Sequence, residues 1–342
     1  MKPRIVLSLH RWIALVVAPL LAMQAVTGGI LLFRDDLAGF GTSLGHDAGE
    51  RIAPLSVIAG RARTDFPEYR LSRLFLPRDA RHPVFAQFES PGGGVRHAQI
   101  DPVTAQVVST GSIWRYPLEA ALQLHFRLAA GNIGLVVVSL YGLALVVISL
   151  TGLWHFWPGR RRLVQALKVP ARTPQRLRLR MWHRSAGAVL ALVLLVTATT
   201  GILTAWPSLS FAAPAPAPPL FTWDAQATDT AFARAATAFP GATARDVRFL
   251  PDGSLAINYR APRAHVIAVD TVSISTLDPA VMTATAWEDN AALWALSLPI
   301  HSGAVAGIVG RILMLAAAGG LLFLSISGPL AWWRARRKVS RQ

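Results

Sequence analysis

Four of the nine histidines stand in a pattern that occurs twice along the chain. Each precedes a Thr-Gly or Ser-Gly step by a fixed number of residues: 17 for His10 before Thr27-Gly28 and His183 before Thr200-Gly201, and 26 for His125 before Thr151-Gly152 and His301 before Ser327-Gly328. Imidazole is a common metal ligand, and two imidazoles can bind a haem iron axially with no open position left. Such coordination suits electron transfer rather than oxygen binding, so the pattern indicates redox chemistry.

Four apolar runs must position these histidines. They cover residues 12–33, 133–154, 186–206 and 304–333, and each approaches or exceeds the ~20 residues that cross a ~30 Å hydrocarbon core. The chain is 53% hydrophobic and only 15% charged, whereas soluble domains carry about 25% charged residues. Because there are no cysteines, disulfides, thiolate metal sites, iron–sulfur clusters and covalent c-type haem are excluded. A non-covalent haem held by histidine is not.

Basic residues flank the apolar runs and set the expected orientation. The net charge is +16, and Lys and Arg concentrate at the N-terminus, in 160–184 and in 334–341. This distribution predicts a bacterial inner-membrane protein with both termini in the cytoplasm. It favours membrane lipids as partners, through their anionic headgroups, and argues against nucleic acid. The first run is long for a signal peptide and lacks a small-residue cleavage site, so an uncleaved helix is expected.

The predicted fold class is an integral membrane α-helical protein with four transmembrane helices and two small α+β extracytoplasmic domains, arranged as a tandem parallel repeat. The predicted segments are transmembrane helix 1 (1–33), periplasmic domain 1 (34–124), transmembrane helix 2 (125–157), a basic cytoplasmic loop (158–184), transmembrane helix 3 (185–206), periplasmic domain 2 (207–300), transmembrane helix 4 (301–333) and a cytoplasmic tail (334–342).

Turn residues and short apolar stretches predict mixed secondary structure in the two outer segments. The first is predicted to hold a helix at about 55–64, strands near 71–76, 84–88 and 95–100, and a glycine-rich turn at 91–94. The second is predicted to hold a stiff Pro/Ala linker at 212–219, a helix at 228–238 and strands near 247–250, 255–259 and 265–269.

The repeat predicts which histidines meet. Each half crosses the membrane an even number of times, so the halves share one orientation and are related by an axis along the membrane normal. Symmetry then brings His10 towards His183 at the cytoplasmic side and His125 towards His301 at the outer side. We expect each pair to hold the iron of one haem b, which gives two haems per chain.

Three arginines adjoin the predicted ligands, namely Arg11, Arg184 and Arg127. Arginine is well suited to binding haem propionates, although the same residues also suit the membrane interface as positive-inside anchors. Arg311, inside the fourth run, is costly in lipid and is expected to face the interior or a headgroup.

The remaining histidines carry weaker signals. His155 has Ala331 at its repeat-equivalent position, so it ranks below the four as a ligand. Four others lie in the outer segments without metal-site spacing and are expected at the surface: His46, His82, His97 and His265. The stretch Trp114-Arg115-Tyr116 could line an outer substrate site or belong to the aromatic belt.

Several motifs resemble the PepSY-associated transmembrane family. Leu9-His10-Arg11-Trp12 with Thr27-Gly28, and the stretch from Thr151-Gly152 to Trp157-Pro158, are similar to its helix motifs. The outer stretch 100–107 resembles the Asp-Pro-x-Thr-Gly-x-Val ending of a PepSY domain, with Ala105 where glycine is usual, and the second outer segment keeps only Asp278-Pro279 of that ending. The resemblance implies two PepSY-like outer domains.

The resemblance also implies a function, because the family includes inner-membrane ferric-siderophore reductases with two b-type haems. It supports the four repeated histidines as ligands and does not support His155. The leading hypothesis is therefore electron transfer across the membrane, from a cytoplasmic reductase or quinol to a ferric siderophore or other Fe(III) chelate in the periplasm. No Gly-x-Gly-x-x-Gly fingerprint follows a strand, so the donor is expected to be a separate component.

Two alternatives belong to other classes. The first is a non-enzymatic PepSY membrane module that binds a partner or inhibits a peptidase, which would need no cofactor. The second is a transporter component, which parallel repeats would suit. The transporter is less favoured because the four runs offer no intramembrane acid for ion coupling.

Overall fold

The structure is a computed structural model that describes residues 3–38, 43–90, 94–209 and 224–339. The linker expected at 212–219 and most of the turn expected at 91–94 lie outside these residues. The chain divides into two compact units. The helical unit comprises residues 1–33, 121–210 and 292–342, and the sheet unit comprises residues 34–120 and 211–291.

The described residues form ten α-helices and eight strands. The helices are α1 (Pro3–Leu31), α2 (Arg34–Leu37), α3 (Leu55–Asp65), α4 (Pro117–Arg127), α5 (Gly131–Phe156), α6 (Leu163–Leu167), α7 (Gln175–Ala205), α8 (Ala225–Ala236), α9 (Leu293–His301) and α10 (Gly307–Val339). The strands are β1 (Arg70–Phe75), β2 (Val84–Glu89), β3 (Val95–Ile100), β4 (Val107–Gly111), β5 (Ala244–Phe249), β6 (Ser254–Arg260), β7 (Val269–Ser275) and β8 (Met282–Thr285).

Four helices are long and apolar enough to cross a membrane, as the sequence predicted. Their candidate spans are Arg4–Leu31, Gly131–Phe156, Leu177–Ser208 and Ala304–Arg336. Apolar side chains cover most of these helices on all sides, because lipid rather than water surrounds a membrane helix. The protein is therefore a membrane protein built on four apolar helices.

The helix boundaries differ from the predicted ones at two of the four repeated histidines. His183 lies two turns inside α7, which begins at Gln175, whereas the basic loop was expected to extend to residue 184. His125 lies on α4 and not on the membrane helix that follows. The two helices are separated by Leu128 and Ala129, which have positive φ angles of 51° and 53°. Such angles break a helix, and hydropathy alone does not reveal them.

The second half repeats this break. His301 is the last residue of α9, and α10 begins at Gly307. Gly303 and Gly307 have positive φ angles of 75° and 55°. Backbones approach closely at both breaks. A Cβ atom on Gly134 would lie 1.6 Å from the carbonyl oxygen of Arg127, and one on Gly310 would lie 1.9 Å from that of Gly303.

The sheet unit corrects the expectation of two separate small domains. All eight strands form one antiparallel sheet in the order β4-β3-β2-β1-β5-β6-β7-β8. The first and second outer segments join where β1 pairs with β5, with Leu74 opposite Val247. Pairing satisfies the backbone groups that each four-stranded half would otherwise expose at an edge. The last predicted strand of the second segment, 265–269, is also shifted, since β7 starts at Val269.

One face of this sheet is packed against α3 and α8 and forms the core. Alternate strand residues such as Leu74, Phe88, Val247 and Ile257 are fully buried there, as a period of two along each strand requires. The two helices are tied together by Ser56, whose backbone N–H and hydroxyl donate to the carboxylate of Asp229 at 2.9 and 2.5 Å.

Candidate functional site

His10 lies on α1 and is fixed by α5. Its Nδ1 lies 3.0 Å from the carbonyl oxygen of Ile148 and 3.2 Å from the hydroxyl oxygen of Thr151. That hydroxyl already donates to the carbonyl of Val147 at 2.6 Å, so it accepts from the imidazole N–H. The ring rests on Gly152, where a Cβ would lie 3.1 Å from Cε1. The absence of a side chain on Gly152 lets the ring approach the helix backbone closely.

His183 has the equivalent surroundings in the second half. It lies on α7, and its Nδ1 is 2.8 Å from the hydroxyl oxygen of Ser327 on α10. The ring rests on Gly328, where a Cβ would lie 3.0 Å from Cε1. The Thr-Gly and Ser-Gly steps that recur in the sequence therefore position an imidazole ring.

His125 is fixed by α1. Its Nδ1 is 3.1 Å from the hydroxyl oxygen of Thr27, which itself donates to the carbonyl of Met23 at 2.9 Å. A Cβ on Gly28 would lie only 2.8 Å from Cε1 of the imidazole. The backbone of His125 is held as well, because its carbonyl accepts a 2.7 Å hydrogen bond from the side-chain amide of Gln24.

His301 is fixed by α7. Its Nδ1 donates to the carbonyl oxygen of Thr197 at 2.8 Å, and a Cβ on Gly201 would lie 2.8 Å from Cε1. The imidazoles of His301 and His125 face each other with ring centroids 6.2 Å apart and planes inclined at 59°. Two imidazoles on opposite sides of one metal ion, with metal–nitrogen bonds of about 2 Å, have centroids roughly 6 Å apart.

The four rings share one hydrogen-bonding pattern. Each uses Nδ1 for a hydrogen bond to a helix carbonyl or hydroxyl, and none of the four Nε2 atoms bonds to another residue in the described part of the chain. Metal-binding histidines characteristically donate the N–H that does not face the metal to such a partner, which fixes the tautomer and the ring orientation. The pattern leaves Nε2 of all four rings available to bind a metal ion.

A cavity of about 520 Å³ lies among the four long helices around His10 and His183. Most of its walls are apolar, with small residues such as Ala18, Gly187 and Ala191. Its basic lining residues are Arg11, Arg180, Arg184 and Arg336, and His155 also contributes to the wall. An apolar cavity with histidine nitrogens and a cationic border suits a flat, apolar cofactor that carries carboxylates.

Two of the three predicted arginines line the cavity, and the third does not. Arg11 and Arg184 line the cavity, and Arg184 also donates to the carbonyl of Ala166 at 2.6 Å. Arg127 instead lies over the ring of its neighbour Phe126, 5.2 Å from the centroid, and is not part of the cavity wall. Sequence reasoning missed Arg180 and Arg336, because both fall in basic stretches that were interpreted as membrane anchors.

Arg311 faces the protein interior, one of the two expected locations. It donates to the carbonyl of Leu32 at 2.8 Å, and its guanidinium lies 4.9 Å from the ring centroid of Phe33. Both contacts are made to the end of the first membrane helix. The charge therefore stabilises a helix end, since carbonyls there lack intrahelical partners.

The histidines of the sheet unit are not all at the surface. His97 is 3% exposed and stacks on Phe85 with ring centroids 5.3 Å apart, so the expectation of a surface residue is wrong; burial lowers its pKa. His46 is hydrogen-bonded to Asp101 at 2.8 Å, which raises its pKa. Both belong to the sheet unit, whereas the four repeated histidines belong to the helical unit.

The residues of the stretch Trp114-Arg115-Tyr116 also differ in their exposure to solvent. Tyr116 is buried, and its hydroxyl donates to the carbonyl of His97 at 3.4 Å, whereas Trp114 is 60% exposed. Tyr116 therefore has a packing role in the sheet unit, and Trp114 remains available at a surface.

Comparison with known proteins gives one family. A family model described as PepSY-associated TM region matches residues 7–335, which include all four histidines and every residue that lines the cavity except Arg336. No curated protein matches the chain.

Proposed function

Since this chain belongs to the family of the PepSY-associated TM region, we propose that it carries electrons across the bacterial inner membrane on two haem b groups. The electrons would reduce a ferric siderophore or another Fe(III) chelate in the periplasm. The observation that carries this proposal is the shared arrangement of the four histidines, each held through Nδ1 and packed on a glycine.

The side chains present fit haem b. The ring centroids of His125 and His301 lie 6.2 Å apart, a separation at which both could bind one iron, and His10 and His183 line one cavity. Bound there, haem iron supplies one-electron redox chemistry. The chain's own residues hold the ligands rigid through hydrogen bonds, and they exclude water with apolar walls.

Charge is supplied at the inner cavity by arginine. Arg11 and Arg184 would bind propionate carboxylates there, with Arg180 and Arg336 as further candidates on the same cavity wall. A guanidinium can pair with a carboxylate through two parallel hydrogen bonds. Arg127, which lies over Phe126, is a weaker candidate for binding the propionates of the outer haem.

The proposal includes a topology. Both termini and the basic segment 158–184 would lie in the cytoplasm, because positively charged residues flank the helices on that side. The sheet unit would then lie in the periplasm, with one PepSY-like half from each outer segment. The two halves would form a tandem parallel repeat. In support of this, His10 and His183 make equivalent contacts in their own halves, and so do His125 and His301.

The partners follow from this topology. A cytoplasmic reductase or a membrane quinol would donate electrons at the inner pair, and the ferric chelate would accept them outside. Anionic lipid headgroups would contact the basic helix ends. Nucleic acid is not expected as a partner.

The test is an optical spectrum of the purified full-length protein after haem-sufficient expression, with haem counted per chain. We expect b-type absorbance and two haems. Single His10→Ala, His183→Ala, His125→Ala and His301→Ala changes should each remove about one haem, because each removes one axial ligand. His82→Ala, in the sheet unit, serves as the matched control and should retain both.

Absence of b-type absorbance would contradict the proposal. If all four alanine variants also matched the wild type in yield and thermal stability, the alternative would be favoured: a non-enzymatic PepSY membrane module that binds a partner or inhibits a peptidase. His155 is judged in the same series. Because it lacks the Thr-Gly or Ser-Gly contact of the other four, His155→Ala is expected to retain both haems.

A further inference from the structure

The face of the sheet opposite α3 and α8 carries a group of arginines from three adjacent strands. The core side chains of these strands, such as Leu74, Val247 and Ile257, point to the helices, so alternate residues point to the other face. We call the following residues the arginine cluster: Arg73 on β1, Arg248 on β5 and Arg260 on β6.

The cluster places like charges side by side. Arg73 lies directly opposite Arg248 in the pairing of β1 with β5, an arrangement that destabilises a sheet unless something compensates it. Burial, together with repulsion from Arg248 and Arg245, lowers the pKa of Arg73 to about 10, although Asp246 opposes this. The guanidinium therefore stays charged at neutral pH, and the sheet carries the cost of that repulsion.

A single buried carboxylate offsets part of this charge. Asp246 is fully buried and accepts hydrogen bonds from Nε of Arg73 at 2.9 Å and from Nδ2 of Asn258 at 3.1 Å. It also lies 3.9 Å from Nε of Arg248. Those hydrogen bonds reach Oδ1, and the same Asn258 amide also donates to Oδ2 at 3.2 Å. Both oxygens are thus engaged, and positive charge remains in excess on this face.

The guanidinium of Arg260 lacks a hydrogen-bond acceptor that an anion could supply. Its Nε is buried and has no hydrogen-bond partner among the described residues. The carboxylate of Asp35 lies 3.8 Å from its Nη1, too far for a hydrogen bond. A buried donor without an acceptor destabilises the fold, and an oxygen anion bound at this face would supply the missing acceptor.

We propose that the arginine cluster binds the ferric chelate and that this chelate is anionic, with carboxylate or catecholate oxygens at its periphery. The inference rests on the proposed function and adds the charge class of its substrate. Guanidinium groups present rigid pairs of donors that match such oxygens. Several guanidiniums on one face also raise the local concentration of an anion and repel cationic chelates.

Gallium(III) chelates test the inference without electron transfer, because Ga(III) has the charge and coordination of Fe(III) but is not reduced. The probes are gallium citrate and a gallium tris-catecholate as anions, and a gallium trihydroxamate without net negative charge as the comparator. Titrated into the full-length protein in zwitterionic nanodiscs, the anionic probes should bind, and their affinity should fall as salt rises. The comparator should bind at least about tenfold more weakly.

Matched variants locate the site. Arg248→Gln and Arg260→Gln should each weaken binding of the anionic probes by about tenfold, the effect of losing one charge-assisted hydrogen bond. Arg61→Gln and Arg234→Gln are the controls, because these arginines lie on α3 and α8, which cover the other face. Both controls should bind as the wild type does.

Three outcomes would overturn the inference. The first is equal affinity for the anionic and comparator probes, and the second is an equal loss of affinity in the cluster and control variants. The third is loss of haem together with loss of binding in the cluster variants, which would assign the arginines to the cofactor. The result is separable from the proposed function. Anionic probes that bind a haem-free protein would support the cluster and contradict the redox proposal. Two haems without selective binding would do the reverse.

Discussion

The imidazole of His125 rests against the α-carbon of Gly28, so that a methyl group on this glycine would lie 2.8 Å from Cε1 of the ring. Real Cβ contacts are not this short, and the ring must move if the methyl group is added. Each of the four repeated histidines packs on a glycine, and the corresponding distance is 2.8 Å at Gly201, 3.0 Å at Gly328 and 3.1 Å at Gly152. The glycine is therefore as much a part of the site as the histidine.

We predict that Gly28→Ala displaces His125 and reduces the haem content from two to about one per chain. The adjacent Gly29→Ala is a close control, because its methyl group would lie an ordinary 3.8 Å from Cβ of Ala318, and alanine favours the helix by about 0.5–1 kcal/mol. Haem per chain, counted from the absorbance of both purified variants, checks the prediction. Retention of both haems in Gly28→Ala would show that the ring tolerates displacement or is not a ligand.

A polar contact inside the bundle gives a stability prediction. Tyr141 is 4% exposed and donates a 2.6 Å hydrogen bond to Oε1 of Gln24, the residue whose amide holds the carbonyl of His125. Tyr141→Phe removes this donor from the partly buried side chain of Gln24, which should cost about 0.5–1.5 kcal/mol. A lower midpoint of thermal unfolding would report this loss.

Tyr259→Phe provides the comparison for this experiment. The Tyr259 hydroxyl is buried without a hydrogen-bond partner among the described residues, so its removal should leave the unfolding midpoint unchanged or raise it. Equal destabilisation by the two changes would mean that the Tyr141 hydrogen bond contributes nothing specific.

The helix breaks before α5 and α10 predict the most severe single substitutions. A Cβ on Gly134 or Gly310 would overlap a backbone carbonyl oxygen at 1.6 or 1.9 Å, and backbone cannot move aside as a flexible side chain can. Gly134→Ala and Gly310→Ala should each destabilise by more than the usual 0.5–3 kcal/mol of point substitutions, with little folded protein recovered from membranes.

Gly319→Ala is the control for this pair, because it lies on α10 with no other atom within 4 Å of its added Cβ. Its yield, measured by size-exclusion chromatography beside the two variants, should equal that of the wild type. Normal yields of Gly134→Ala and Gly310→Ala would mean that the helix connections do not approach so closely.

The sheet unit should lose stability in mild acid through His97. Burial lowers the pKa of this imidazole, so below about pH 6.5 the unfolded chain binds a proton that the folded chain does not. Stability should therefore fall as the pH drops from 7.5 to 5.5. His97→Phe keeps a ring against Phe85 and removes the titration, so its unfolding midpoint should change less over this interval.

His46 should behave in the opposite sense. Hydrogen bonding to Asp101 raises its pKa, so its contribution is present below about pH 6.5 and is lost as the pH rises through the raised value. His46→Gln should accordingly reduce the loss of stability above neutral pH. Unfolding midpoints of both variants between pH 5.5 and 8.5 separate the two effects, and identical profiles for both variants would refute the assignment.

The sequence alone determined the membrane helices and the residues of the candidate site. Apolar runs of about 20 residues must become helices in lipid, because only helices satisfy every backbone group within one segment. The repeated spacing singled out His10, His125, His183 and His301 together with their Thr-Gly and Ser-Gly steps. These signals are local, and they survive without any knowledge of which helices are neighbours.

Only the tertiary structure decided which partners meet. Spacing associates His10 with Thr27-Gly28, yet 17 residues along one helix span about 25 Å, so the two cannot touch. His10 instead packs on Gly152, and His125 on Gly28, because each ring reaches the opposite helix of its own half. The single eight-stranded sheet and its arginine cluster arise in the same way. Strands β1 and β5 are more than 160 residues apart in the chain, and contacts at that distance are set by packing and strand pairing, which leave no periodic signal in either segment.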